Sequence, residues 1–266
     1  MKFNISRNWN RFEKTIDGYD YGNAVIGKSL NQIKAYKTEG FYNSLDEVRR
    51  YYQANGKYMP LYSSNINGIF FQGMRRLVDL NGDGKISEAD TYYAASPLPL
   101  AYGGIINEIR WKQFDLNIFF NYSLGRHIIK QYDDLSLSPK AHGGPLMLDL
   151  GKASFWESPE SAHPDYPRLQ LYDKNNISFS GDFDCDIEKV NMIRLKQLTL
   201  GYNLHEKVAK RIGISGARLF LTCENLFILT NYSGLDPEIV DIMSGKDLLG
   251  SYPLPRKFTV GLTLNF

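Results

Sequence analysis

Arg256-Lys-Phe-Thr-Val-Gly-Leu-Thr-Leu-Asn-Phe266 alternates without a fault. Phe258, Val260, Leu262, Leu264 and Phe266 share one parity, while Lys257, Thr259, Gly261, Thr263 and Asn265 share the other. Successive side chains of a strand point to opposite faces, so this segment has one apolar face and one polar face. A tilted strand needs about 9–11 residues to cross a bilayer, and this one is long enough. A half-buried strand of a soluble sandwich would alternate in the same way, so the rest of the chain decides between the two.

The pattern recurs upstream. In Phe114–Ser123, residues Phe114, Leu116, Ile118, Phe120 and Tyr122 oppose Asp115, Asn117, Asn121 and Ser123, and only Phe119 breaks the order. In Val190–Leu204, residues Leu198, Leu200, Tyr202 and Leu204 oppose Thr199, Gly201 and Asn203, but Ile193 and Leu195 carry the other parity. A β-bulge near Gln197 reconciles the two halves. Ala217–Ile228 sets Leu219, Leu221 and Cys223 against Thr222 and Glu224. Two weaker segments complete the series. Lys2–Asn10 sets Phe3 and Ile5 against Asn4 and Ser6, and Leu100–Ile109 splits Leu100, Tyr102 and Ile106 from Ile105 and Ile109.

The connections are the second signal. A tight turn separates Ile109 from Phe114, and a long stretch rich in proline and glycine separates Ser123 from Val190. The link from Leu204 to Ala217 is short and basic, with Lys207, Lys210 and Arg211; the link from Ile228 to Arg256 is long again. Membrane barrels of Gram-negative bacteria alternate short periplasmic turns with long extracellular loops. Compact soluble domains rarely carry loops beyond about 12–15 residues. The expected fold class is therefore all-β, an antiparallel transmembrane β-barrel segment of about six strands. Residues 18–99 are expected as an extracellular loop region, with a short helix at Leu45–Tyr52, and residues 100–266 as closing strands.

Composition agrees and excludes other classes. The chain is 43% hydrophobic and 14% aromatic with a formal net charge of +2, so no electrostatic case exists for nucleic acid. Aromatic richness suits interfacial girdles. No apolar run is long enough for a membrane helix, which leaves a barrel open. Cys185 and Cys223 lack CxxC spacing and read as unpaired thiols, and the four histidines form no metal-binding pair. Asp133/Asp134 and Asp182/Asp184/Asp186 read as solvated loop charge, so no enzyme is expected.

One loop has sharper local chemistry. Asp79-Leu-Asn-Gly-Asp-Gly-Lys-Ile-Ser-Glu-Ala-Asp90 places oxygen donors at loop positions 1, 3 and 5, glycine at 6 and a carboxylate at 12. This matches a calcium-binding loop, with Asp79, Asn81, Asp83, the Lys85 carbonyl and Asp90 as ligands. Asp90 stands where an EF-hand has glutamate, and Pro97 and Pro99 preclude a long exit helix. Calcium is expected as a structural clip; the competing reading is an Asx-rich turn without metal.

Six stretches in order resemble the carboxy-terminal part of SusC/RagA-type TonB-dependent outer-membrane proteins of Bacteroidetes. They are Ile33–Phe41 (IKAYKTEGF), Asp79–Asp90 (DLNGDGKISEAD), Trp111–Phe120 (WKQFDLNIFF), Ile193–Tyr202 (IRLKQLTLGY), Glu224–Glu238 (ENLFILTNYSGLDPE) and Pro255–Phe266 (PRKFTVGLTLNF). The resemblance implies a 22-stranded barrel in the outer membrane with a plugged lumen. It also implies import of glycans or peptides, a SusD-like surface lipoprotein as lid, and TonB acting through a plug. Nothing in the chain resembles a plug, TonB box or signal peptide, so a carboxy-terminal fragment is expected. The alternative function is a soluble, secreted, calcium-stabilised β-rich binding module.

Overall fold

A computed structural model describes residues 1–20, 25–29, 31–44, 46–47, 62–63, 66–67, 72–83, 86–130, 154–161, 164–167, 182–247 and 251–266. The strands in chain order are β1 (Lys2–Ser6), β2 (Ile33–Tyr36), β3 (Thr38–Phe41), β4 (Tyr62–Ser63), β5 (Ile66–Asn67), β6 (Arg75–Leu77) and β7 (Thr91–Ala95). They continue with β8 (Ala101–Trp111), β9 (Phe114–Ile129), β10 (Ile187–Asn203), β11 (Gly216–Glu224), β12 (Ile228–Thr230) and β13 (Lys257–Asn265). A short helix, α1 (Glu206–Arg211), lies between β10 and β11.

Among the described residues, six strands form one antiparallel path in the order β1-β8-β9-β10-β11-β13. The number equals the expected one. The path is open, with β1 and β13 at its two edges. β8 and β9 meet in a hairpin closed by Lys112 and Gln113, where Lys112 has φ 53°. A two-residue hairpin turn needs such left-handed backbone to follow the twist of its strands.

Register shows why both halves of β10 can face one way. Leu195 lies opposite Phe120 and Gln197 opposite Phe119, so Lys196 is an extra residue in the ladder. Ile193 and Leu195 therefore join Leu198, Leu200 and Tyr202 on the face of Phe114, Leu116, Ile118, Phe120 and Tyr122. The bulge stands where the parity change requires it. A second shift, between Val190 and Met192, leaves Leu124 and Gly125 opposite Asn191. Gly125 has φ 68°, and a Cβ there would lie 2.7 Å from the Leu100 side chain.

Three sequence expectations change. Ala217–Ile228 is not one strand: β11 ends at Glu224, Asn225 takes φ 53°, and β12 pairs back onto β10 at Met192–Arg194. The local reason is the Lys196 bulge, whose carbonyl accepts the Asn225 N–H, while the Leu195 N–H donates to Phe227. β8 divides as expected, with Ile105 and Ile109 opposite Phe120 and Leu116 on the apolar face and Tyr102 and Ile106 opposite Ser123 and Phe119, but the reading of Phe119 changes. Phe119 is thus not a fault in β9 but half of an Ile106–Phe119 pair on the other face. Of Leu45–Tyr52, only Asp46 and Glu47 are described, and both are helical.

The third change concerns Asp182, Asp184 and Asp186. Asp184 accepts from the Thr38 N–H at 3.0 Å, the Thr38 hydroxyl at 2.6 Å and the Tyr92 hydroxyl at 3.1 Å. Asp182 pairs with Lys246 at 2.8 Å. Asp186 lies 4.0 Å from Arg75 of β6. Asp184 and Asp186 thus tie strands of the two small sheets to the segment leading into β10, because each side-chain oxygen replaces water with a fixed donor. Asp133 and Asp134 lie outside the described residues.

Candidate functional site

The functional feature is the sheet itself, because its two faces differ in chemistry. On one face, Phe258, Val260, Leu262 and Leu264 of β13 align with Cys223, Leu221, Leu219 and Ala217 of β11. That row continues through Leu198, Leu200 and Tyr202 to Ile118, Leu116 and Phe114, then to Ile109 and Trp111, and Phe3 and Ile5 extend it on β1. Val260 is 72% exposed and Leu262 62%. Asn107, opposite Ile118, interrupts the row on β8. An apolar face of this extent does not stay open to water in a monomeric soluble protein.

The opposite face is polar and internally bonded. Arg218 on β11 reaches Asp115 on β9 with Nη2 to Oδ2 at 2.5 Å and Nε to Oδ1 at 3.2 Å. Asn203 donates to the same carboxylate at 3.0 Å. The hydroxyls of Thr199 and Thr222 meet at 3.0 Å across β10 and β11. Phe220 lies flat over Gly261, where a Cβ would come within 2.2 Å of its ring.

At the far end of this face the segment Asn231–Asp247 folds back over β9 and β10. Arg194 is its anchor, with Nη2 2.5 Å from Asp236 Oδ1 and Nε 2.5 Å from Glu238 Oε2. Lys196 also reaches Glu238 at 2.9 Å, Asn121 donates to Glu238 at 3.3 Å, and Arg126 donates to the Pro237 carbonyl at 3.1 Å. Tyr232 donates to Asp247 at 2.5 Å and packs in an apolar cluster with Ile128, Val190 and Val240. Burial raises the Asp247 carboxyl above its usual range, the Tyr232 hydrogen bond opposes this, and the Asp236 charge adds to it. The sequence drew attention to this NYSGLDPE run, but not to its role. The signal for Arg194 was a cation between the apolar residues Ile193 and Leu195, two residues before Lys196.

The Asp79–Asp90 loop binds its own backbone. Asp90 is fully buried; Oδ1 accepts from Leu80 at 2.9 Å and from Asn81 at 3.4 Å, and Oδ2 accepts from Ser87 at 2.7 Å. Asp79 accepts from the Gly82 N–H, and Asn81 accepts from the Asp83 N–H. Gly84 and Lys85 lie outside the described residues. Among the described residues no three His, Cys, Asp or Glu side chains converge as metal donors. Both cysteines are free.

An antiparallel sheet with one lipid-suited face, one polar face and alternating short and long connections is a segment of an outer-membrane β-barrel. No family model matches the sequence. TonB-dependent receptor P3 of Formosa agariphila is 33% identical over 99% of this chain, and the SusC receptor of Bacteroides thetaiotaomicron is 27% identical over all of it. The chain spans about a quarter of each relative, 26% and 24% respectively. Its fold superposes on the RagAB peptide importer in the open-open state with a TM-score of 0.67 at 20% identity, covering 99% of this chain and 26% of that one. Over nearly its whole length the chain is thus similar to one stretch of curated TonB-dependent receptors, SusC among them, and it shares the fold of the RagAB importer there.

Proposed function

We propose that this chain supplies six transmembrane strands and extracellular loops to a TonB-dependent importer of nutrients. The observation that carries this is the apolar face across six registered strands, interrupted at Asn107, opposite a largely polar face suited to a lumen. The cargo is a glycan or a peptide; the relatives include a protein named as a peptide importer, which favours peptide. A SusD-like lipoprotein would cover the long-loop end. TonB would act through a plug, from the short-turn end. The test is an immunoblot of purified outer membranes with an antibody against residues 125–189. A band several times heavier than 30.4 kDa supports the importer, and a band confined to the soluble fraction overturns it.

We also propose calcium as a clip on the Asp79–Asp90 loop, on the strength of its oxygen spacing. Side-chain oxygens of Asp79, Asn81, Asp83 and Asp90 and the Lys85 carbonyl would hold the ion. Calcium titration of the folded receptor, read by calorimetry and by proteolysis within the loop, tests this. Equal proteolysis with and without calcium overturns it.

A further inference from the structure

The short-turn end of the sheet is basic just beyond an aromatic ring of residues. Trp111 stacks on Phe114 with centroids 6.4 Å apart, and Phe114 packs on Tyr202 at 5.0 Å. Lys112 in the first short turn lies 5.1 Å from the Trp111 ring centre, a cation–π distance. The second short connection folds into α1, of sequence Glu206-Lys-Val-Ala-Lys-Arg211. Lys207, Lys210 and Arg211 are exposed, and Glu206 is the helix's one acid.

Charge alone would describe a solvated turn. Two aliphatic residues say otherwise: Val208 is 49% exposed and Ile212 62%, although Ala209 beside them is fully buried. Val208 lies on the helix and Ile212 is the residue that caps its carboxy-terminal end. An apolar pair flanked by long basic side chains matches an interfacial segment, with stems in the acyl boundary and cationic heads at the phosphates. The aromatic residues put the apolar boundary at this same end of the sheet.

We infer that α1, together with Lys112, is a docking surface for anionic phospholipid headgroups in the leaflet on the short-turn side. The inference rests on the transmembrane reading of the sheet. Opposite charge selects an anionic surface, and the exposed aliphatic pair selects a bilayer over a soluble anion.

The test uses the receptor that carries this chain, reconstituted in nanodiscs of phosphatidylcholine with or without phosphatidylglycerol. Native mass spectrometry counts retained lipid, and heat-modifiable gel mobility reports the folded barrel separately. Wild type should retain phosphatidylglycerol preferentially, and the K207Q/K210Q/R211Q variant should lose at least about tenfold of that preference. The preference should also fall at high salt in wild type alone, so the proposal stays testable if the triple variant does not fold. Equal retention of both lipids by a folded wild-type barrel overturns the docking surface and leaves the membrane reading standing. Failure to form a heat-modifiable barrel in either lipid overturns the membrane reading, and the docking surface with it.

Discussion

Arg218 grips Asp115 across an intervening strand, and the crossing point is Gly201. The two residues belong to β11 and β9, with β10 between them. A Cβ on Gly201 would lie 2.5 Å from Asp115 Oδ1 and 2.6 Å from Arg218 Nη2. Glycine is therefore the residue that lets a bidentate pair bridge three strands on the polar face.

Gly201→Ala should cost about 1–3 kcal/mol through overpacking. In the Arg218→Ala background the same change should cost clearly less, because the Arg218 contact is gone and the Asp115 carboxylate is no longer held over Gly201. Urea unfolding of the reconstituted barrel measures both. Additive effects would mean the pair is not seated over Gly201.

Leu262→Arg should cost roughly 2–4 kcal/mol near the bilayer midplane, whereas Thr263→Arg should cost much less. Their registered partners, Leu219 and Arg218, already show the two environments. Barrel yield and unfolding in lipid vesicles read the difference. Equal losses would reverse the assignment of faces.

Arg194→Met removes the cation that Asp236 and Glu238 share in a buried site, where the Arg194 side chain is 4% exposed. Breaking one partner of a buried pair costs about 3–5 kcal/mol, because the remaining charges stay desolvated. Hydrogen exchange in residues 231–247 should rise more than in β11. Unchanged protection would show that the apolar cluster that includes Tyr232, and not the ion pairs, holds this segment.

Asp247 sets a pH dependence for the same segment. Its folded-state carboxyl is raised, chiefly by burial, so the folded form binds the proton more tightly than the unfolded form. The stabilisation is complete below the ordinary carboxylate range and is lost as pH rises through the raised folded value. Protection of residues 231–247 should fall with rising pH through that window, and Asp247→Asn should flatten the profile. A profile identical in wild type and variant would remove Asp247 as the cause.

Local alternation made several elements legible in advance. The faces of β1, β9, β11 and β13 could be read from parity, because a strand's period of two is a property of the backbone alone. The Lys196 bulge was legible for the same reason: two runs of opposite parity in one strand require an extra residue between them. The long and short connections, and the stretches similar to SusC/RagA receptors, were equally open to inspection.

Partners distant in sequence were not legible. Nothing in the order of residues joins Asp115 to Arg218, or Arg194 to Asp236, since these contacts depend on strand order and register. Phe119 looked like a fault until the pairing of β8 and β9 set Ile106 opposite it. Asp184 looked like solvated charge until Thr38 and Tyr92 were brought to it. Residue order alone was enough for the faces and the spacing of the strands, because those follow from backbone periodicity and local composition, and six short stretches carried the resemblance to SusC/RagA receptors. Which buried charges meet was settled by strand order and register, because a charge can be taken out of water only where the fold brings an opposite charge and hydrogen-bond partners to offset the cost.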